Sequence, residues 1–497
     1  MLGPTISTWC GMSSISASLR TPSARFGRVL ERVSEESPLI AVVGLFATFV
    51  AASAAPYMII GDTWLTFLGG REIAQHGIPG IDTLTVLSHG RMWVDQQWLA
   101  QLASYHLEST FGLRATLAVF AAMVVAPFVI ACWFARNRGA SPRSVAIFAL
   151  LAAPAALCAV RAQAFSYLLF APFLALLAAE SRRPTRRVWL ALPVLVLWAN
   201  LHGAVLVAAA LVSLLGFSEL VGRRSRARGL ALLLLPWPCL FASPYGLSLV
   251  GYYRSTLDNP LFKKYVLEWT PPTFPSAVGI PFFLAAGLAI VLVARRPRDL
   301  TFFECGALLL TLLGALTAQR SIVWFSYAAL LLLPAVLGRA SPQPAAASYA
   351  VRRVLGLAAF GIVAIGLATA GVAAAHASAS IDSLWPKEAL RTVRAVVAAD
   401  PHARVAGAEG SADWLLYEIP ELRGRIAFDG RFEVLSQEQF QSVRDYLKQS
   451  GPDWQRLSRG YRIVVVDPER NSGLYRFYRS RGLRILYGGS RVAVFER

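Results

Sequence analysis

Gly61-Asp62-Thr63-Trp64-Leu65-Thr66-Phe67-Leu68-Gly69-Gly70-Arg71 runs on to Gly80-Ile81-Asp82, and Gly90-Arg91-Met92-Trp93-Val94-Asp95-Gln96-Gln97-Trp98-Leu99 follows. These residues belong to the stretch 61–112, the long polar interruption in an otherwise apolar region, 38–379. It comes directly after the first apolar run and opens on an acid. A polar loop held against a bilayer needs a function to justify it.

Outward from this loop, composition sets the class. The chain of 497 residues is 56% hydrophobic and 15% charged, with a mean hydropathy of +0.51. Its apolar runs are long enough to cross a hydrocarbon core of about 30 Å. Apolar stretches near 38–60, 113–135, 143–160, 163–179, 188–201, 203–221, 229–250, 278–294, 302–318, 321–338 and 354–375 predict eleven spans. A count of ten is the rival, because only Asn200-Leu201-His202-Gly203 divides the fifth stretch from the sixth.

Arginines decide between them, since positively charged short loops stay in the cytoplasm. Arg20, Arg25, Arg28 and Arg32 precede the first stretch; Arg136, Arg138 and Arg143 follow the second; Arg182, Arg183, Arg186 and Arg187 follow the fourth. Arg223, Arg224, Arg226 and Arg228 follow the sixth, Arg295, Arg296 and Arg298 the eighth, and Arg339, Arg352 and Arg353 the tenth. The alternation holds only if 188–221 crosses twice. It predicts a multi-pass protein of the inner or plasma membrane, with a cytoplasmic N-terminal segment (1–37), a transmembrane region (38–379) and an external soluble domain (380–497).

The net charge of +19 and pI near 10.3 would suggest nucleic acid in a soluble chain. Here most of the excess is topological, and no basic helix interleaved with aromatics is present, so nucleic acid is excluded as a partner. Ala52-Ser53-Ala54 resembles a signal-peptidase site, but the long segment before the apolar run favours an uncleaved anchor. Cys10, Cys132, Cys158, Cys239 and Cys305 lack metal-ligand spacing and form no disulfide framework. The one linker-like segment is Ser341–Ser348.

With the sides assigned, unexpected polar groups gather on the external one. Asp62, Asp82 and Asp95 lie in the first external loop, Arg161 and Gln163 at the next turn, and Asn200 and His202 at the third. Arg254, Lys263, Lys264 and Glu268 lie in the fourth, and Gln319 and Arg320 form the fifth. Ionisable groups beside hydrocarbon are costly, so a convergent set marks a site. The plainer reading has Arg161 and Arg320 snorkelling to headgroups, Asp82 capping a turn and His202 packing at a helix end. Asp62 stands apart, because an anion at the membrane boundary is poorly solvated and easily tuned. Trp64, Trp93 and Trp98 suit an interfacial belt, which lays the loop flat on the membrane, or stacking on a sugar ring.

An Asp just after the first span, Arg71 nine residues later, and G-x-x-W-x-D-x-x-W-L leading into the second span resemble the first external loop of the GT-C superfamily of membrane glycosyltransferases, which includes the protein mannosyltransferases and aminoarabinose transferases. Arg161-Ala162-Gln163, Trp198 through Gly203, Ala242 through Gly246 and Asp429-Gly430-Arg431 extend the likeness to bacterial envelope members of that group. The resemblance implies a GT-C-like helical membrane protein. It would transfer a sugar from a polyprenyl-phosphate carrier to a glycan, lipid or protein acceptor. Asp62 would be the catalytic acid residue acting as general base, and Arg71, Arg161, Gln163, Asn200, His202, Arg254, Glu268 and Arg320 would bind substrate. Many relatives have an acidic pair at Asp62-Thr63 and Lys-Pro-Pro at Asp95-Gln96-Gln97, so Asp95 reads as a second catalytic acid or a ligand to a divalent cation. Two other functions stay open: a transporter or flippase of lipid-linked saccharides, and a non-catalytic envelope scaffold.

From about Ser380 the sequence turns soluble. Short apolar runs at 404–408, 425–429, 462–466, 484–487 and 491–495 predict strands, with helices near 386–399, 411–418, 436–447 and 471–481, hence an α/β domain. Asp429-Gly430-Arg431 follows a strand end and reads equally as a ligand site or as a turn with a salt bridge.

Overall fold

The computed structural model describes residues 22–223, 225–340 and 349–497. Cys10, Arg20, Arg224 and the Ser341–Ser348 linker lie outside the described residues.

The helical body comprises α1 (Pro22–Tyr57), α2 (Gly61–His76), α3 (Trp98–Asn137), α4 (Pro142–Ala152), α5 (Gln163–Arg182), α6 (Ala191–Ala199), α7 (Val205–Val221), α8 (Arg226–Leu234), α9 (Ser248–Leu257), α10 (Gly279–Arg295), α11 (Phe302–Thr317), α12 (Ile322–Leu332), α13 (Pro334–Ala340) and α14 (Tyr349–Leu384). Among the described residues four helices are long and apolar enough to cross a membrane: Ser34–Tyr57, Trp98–Asn137, Gln163–Arg182 and Val354–Leu384. A fifth is the bent pair Gln319–Leu332 and Pro334–Ala340, which turns by 49°. The chain is therefore a membrane protein, and its other apolar stretches fold as shorter helices. The stretch 229–250 is not one helix: Pro236, Pro238 and Pro244 remove backbone donors and divide it into α8, a short turn at Pro236–Cys239, and a loop before α9.

Ion pairs hold the arginine-rich ends together. Glu304 at the start of α11 is fully buried and meets Arg138 after α3 at 2.7 Å and Arg182 at the end of α5 at 2.6 Å. Glu180 on α5 and Glu219 on α7 both meet Arg228 on α8, at 3.0 and 3.2 Å. These ends thus share one side of the helical body, while the starts of α3 and α5 reach the other.

The stretch 61–112 differs from the loop expected. Asp62 sits in the first turn of α2, where a carboxylate suits the helix dipole, and Thr63 Oγ1 accepts the Ile60 N–H. Ten residues of α2, among them Trp64, Phe67 and Ile73, are buried. Gly77, at φ 82°, ends the helix with its N–H on Ile73 O. The next apolar stretch begins earlier than expected, at Trp98, and kinks at Gly112, whose φ of 78° only glycine adopts freely.

The tryptophans do not form an outward belt. Trp64 is 4% exposed and packs on Trp385 and Tyr417, with ring centroids 5.5 and 5.7 Å away, and Trp93 is also 4% exposed. The C-terminal domain covers them. It comprises α15 (Lys387–Ala399), β1 (Val405–Gly407), α16 (Glu409–Glu418), α17 (Gln437–Lys448), β2 (Ile463–Val466), α18 (Ser472–Ser480), β3 (Arg484–Gly488) and β4 (Ala493–Glu496). The sheet order is β1-β2-β4-β3, with β1 parallel to β2 and the other pairs antiparallel. β1 and β2 are wholly buried, so their apolar runs read as unbroken rather than alternating.

The sheet continues past β1 into the helical body's first loop. Val405 N–H donates to Arg425 O and Ala427 N–H to Val405 O; Val86 and Leu87 N–H in turn donate to Ile426 O and Ala427 O. Within 425–429, predicted as a strand, Ile426 makes isolated bridges to Val405 and Thr85, and residues 85–87 form the edge beyond it. Loop and domain are therefore docked by backbone pairing, a device invisible to hydropathy.

Candidate active site

The end of α1 and the loop before α5 are tied by Val160 N–H on Met58 O, at 2.9 Å. That contact brings Arg161 beside the first turn of α2. Arg161 Nη1 donates to Asp62 Oδ2 at 3.0 Å and to Glu268 Oε1 at 2.8 Å. Asp62 and Glu268 keep about half their side chains exposed, whereas Arg161 is largely buried. Gln319 fixes the turn carrying Glu268 to the turn carrying Arg320, its N–H and Nε2 donating to Thr270 O and Oγ1. Arg320 then stacks on Trp269, 4.6 Å from the ring centroid. Burial pushes the Glu268 carboxyl up, but the charges of Arg161 and Arg320 outweigh it and hold the group below its usual range.

The soluble domain roofs this cluster. A Cβ added to Gly61 would lie 2.8 Å from Gly410 Cα, so two helix starts, those of α2 and α16, meet backbone to backbone. Beneath them Asp413 is buried, its Oδ1 accepting the Gly430 N–H. Burial, then the charges of Asp429 and Asp62, raise Asp413 well above the usual carboxylate range. Burial likewise raises Glu433. Sequence reasoning missed both residues; the only signal near Glu433 was Asp429-Gly430-Arg431, and Asp413 carried none.

Asp429-Gly430-Arg431 resolves as a salt bridge. Arg431 Nε and Nη2 donate to Asp429 Oδ2 at 2.8 and 2.6 Å, and Nη2 reaches Asp82 Oδ1 at 2.8 Å. The guanidinium stacks on Trp93 with its carbon 4.2 Å from the ring centroid. Asp82 also accepts Leu84 N–H and Ser88 Oγ–H, so it is both turn cap and clamp.

Asp95 lies apart from Asp62 in its contacts. It is 3% exposed, with Oδ1 accepting from Gln101 Nε2 at 3.0 Å and Oδ2 unpartnered. Burial pushes its carboxyl up to about 7; Glu433 adds to the rise and Arg431 opposes it. A buried acid raised this way costs stability only when charged. The cost is absent below about 4, where the unfolded chain is also protonated, and complete above about 7. Asp95→Asn should therefore gain on wild type as pH rises through that window, by up to about 1.4 kcal/mol per pH unit. Thermal melts at both ends check this, and a pH-independent gap would count against it.

Other predicted residues are occupied elsewhere. Arg71 Nη1 and Nη2 donate to Tyr417 O and Leu416 O, at 2.6 and 3.0 Å, capping α16 and joining α2 to the soluble domain. Asn200 accepts from Trp98 Nε1 and donates to Val196 O and Ala242 O, pinning α3 to the end of α6. His202 Nδ1 accepts the Ala204 N–H and lies 3.0 Å from Ser166 Oγ, which accepts from Trp198 Nε1. Gln163 Nε2 donates to Tyr167 Oη. Arg254 is exposed on α9. The placement of Arg71 and Asn200 makes them positioning residues in this fold.

Two cavities border the residues that lead into this cluster, one at Gly61 and the other at Cys158 and Ala159. A cleft of about 960 Å³ between the helical body and the soluble domain is lined by Tyr57, Gly61, Lys264, Trp385, Arg444 and Arg491, among others. A smaller groove of about 400 Å³ runs along α1 and α3, lined by Phe49, Val50, Ser53, Val124, Leu157 and Ala159. Tyr57 borders both.

Asp62 and Glu268 are the acids of the cluster that could hold a divalent cation. Such ions take several oxygens at 2.0–2.6 Å. Here both carboxylates are committed to one nitrogen of Arg161, and Arg320 adds a second positive charge. Among the described residues no three His, Cys, Asp or Glu side chains gather as a metal site. As placed, Asp62 and Glu268 do not fit a divalent cation.

No family model and no curated protein matches the sequence. Among solved structures, the archaeal oligosaccharyltransferase AglB from Archaeoglobus fulgidus, in complex with an inhibitory peptide and a dolichol-phosphate, aligns at a TM-score of 0.50 and 12% identity, over 88% of this chain and 70% of that one. The apo form of the Archaeoglobus fulgidus oligosaccharyltransferase aligns at 0.45 and 12% identity, over 87% and 70%. The first likeness is one of fold: over most of its length this chain shares the architecture of that oligosaccharyltransferase.

Proposed function

We propose that this protein is a membrane glycosyltransferase that moves a sugar from a polyprenyl-phosphate carrier to an acceptor hydroxyl on the outer face of the membrane. One observation carries the reading: in the Asp62–Arg161–Glu268 cluster two acids share one guanidinium, and the chain neighbours of Asp62 and Arg161 border a cleft under the C-terminal domain, at Gly61, and an apolar groove, at Ala159. The groove suits a polyprenyl tail, and the cleft suits an envelope acceptor. The fold it shares with an oligosaccharyltransferase bound to dolichol-phosphate and a peptide fits two such substrates. The reading includes eleven crossings, a cytoplasmic N-terminus and an external soluble domain.

In the reaction, the acceptor oxygen forms a bond to the sugar's anomeric carbon while the carbon–oxygen bond to the carrier phosphate breaks. The acceptor proton goes to the Asp62 carboxylate, and the carrier departs as polyprenyl phosphate. Charge developing on that phosphate calls for guanidinium donors, and Arg320, stacked on Trp269, is free of a hydrogen-bonded acid among the described residues. A flippase would need charge at mid-membrane depth, whereas the ion pairs here cluster at helix ends. A scaffold would tolerate loss of Asp62.

The test is transfer of radiolabelled sugar from polyprenyl-phosphate donors by the purified protein. Ser53→Trp should fill the apolar groove and raise KM for long-chain donors about tenfold, the equivalent of roughly two buried methylenes. Water-soluble short-chain donors should be affected less. Equal effects on both would remove the groove from donor binding, and no transfer from a broad donor panel would favour transport or scaffolding.

A further inference from the structure

We infer that the Arg161 guanidinium is itself the fixed cation of the site, holding the place between Asp62 and Glu268 where a divalent metal would otherwise be needed. The inference rests on the glycosyltransferase reading for its chemistry but not for its test.

One nitrogen, Arg161 Nη1, bridges carboxylates from two elements distant in sequence, the first turn of α2 and the turn Leu267–Trp269. Two acids converging on one point repel each other and require a positive charge there. A guanidinium meets this need permanently, because it does not deprotonate in proteins and its planar donors fix direction. Its attachment is rigid: Arg161 follows Val160, which is bonded to Met58, and leads directly into α5. With Arg320 close to Glu268, two guanidiniums balance two carboxylates. A divalent cation entering this set would meet positive charge and find no third acid ligand among the described residues. Arg161 thus orients the Asp62 carboxylate at the membrane edge and screens it from Glu268, while Arg320 is left to face the carrier phosphate.

Binding of Mn2+ to the purified full-length protein, followed by electron paramagnetic resonance, tests this without donor or acceptor. Wild type should hold no Mn2+ that Asp62→Asn removes, and its transfer activity should survive EDTA. Arg161→Ala should gain a Mn2+ site with a Kd of roughly 10⁻⁴–10⁻³ M, the weak end for carboxylate sites. That site should vanish when Asp62→Asn or Glu268→Gln is added. Arg161→Lys, which keeps the charge, should bind no Mn2+. A wild-type Mn2+ site lost in Asp62→Asn, or EDTA-sensitive transfer restored by Mn2+, would overturn the inference. So would an Arg161→Ala protein that melts like wild type yet gains no site, since the two acids would then not share one cation. An inactive protein that shows the expected Mn2+ pattern would count against the transferase reading and not against this assignment.

Discussion

Asp62→Asn should lower sugar transfer by about 10²–10⁴-fold, the contribution of a positioned general base, with little change in folding. The two effects separate because of where Asp62 sits. Its side chain is half exposed and its one ion pair is to Arg161, so the neutral amide leaves no buried charge stranded. The isosteric change also preserves the first turn of α2, where Thr63 still accepts the Ile60 N–H. Lost instead is the ability to accept the acceptor's proton. KM for the donor should move less than kcat, because the proposed donor contacts are in the groove and at Arg320. Single-turnover transfer measured on protein matched for melting temperature checks this. Equal turnover in both proteins would remove Asp62 from the mechanism and leave Asp413, beneath the α2–α16 contact, and Glu433, the other raised carboxyl, as the next bases to test.

The membrane character of the chain was legible, for physical reasons particular to membranes. Hydrocarbon forces long apolar runs, and arginines mark one set of ends, so stretches such as 163–179 emerge as α5 with small boundary errors. The small C-terminal sheet was legible because β1, β2 and β4 are short, apolar and separated by amphipathic helices such as α17. The failures lie where tertiary contact overrides local pattern. The sequence of α2 is nearly as polar as a loop, yet Trp64, Phe67 and Arg71 are buried by a domain that begins some three hundred positions later in the chain. The same domain turned the expected tryptophan belt inward. Within the site, Asp62, Arg161, Glu268 and Arg320 were chosen from the sequence because ionisable groups beside hydrocarbon are rare, and the structure brings those four together. Asp413 was beyond reach, because an acid inside a soluble domain carries no such flag and its partner is a backbone N–H of Gly430.

Arg431→Leu should destabilise the docked domain by about 3–5 kcal/mol, the usual cost of removing one member of a buried ion group. Arg431 is 3% exposed and Asp82 is wholly buried, so leucine would leave Asp82 and Asp429 without their cation. The pairing belongs half to the first loop and half to the soluble domain. Its loss should therefore open the 85–87 edge and expose the domain to protease before the helices melt. The pH dependence follows from Asp82. Burial pushes its carboxyl up, but Arg431, Ser88 and Leu84 together hold it below the usual range. A depressed acid contributes stability that is complete above its unfolded value of about 4 and is lost as pH falls through the lower folded one. The gap between wild type and Arg431→Leu should accordingly be wide at pH 8 and narrow as the medium is acidified, because stranded carboxyls take up protons. Arg431→Lys should recover only part, since an ammonium cannot fork to both acids while lying flat on Trp93. The triple change Asp82→Asn, Asp429→Asn and Arg431→Leu separates stability from specificity. With no charge left unpaired, most of the lost stability should return. If sugar transfer stays low in that protein, the clamp's role is to hold the Gly61–Gly410 contact in register over Asp62, and not merely to keep the domain attached.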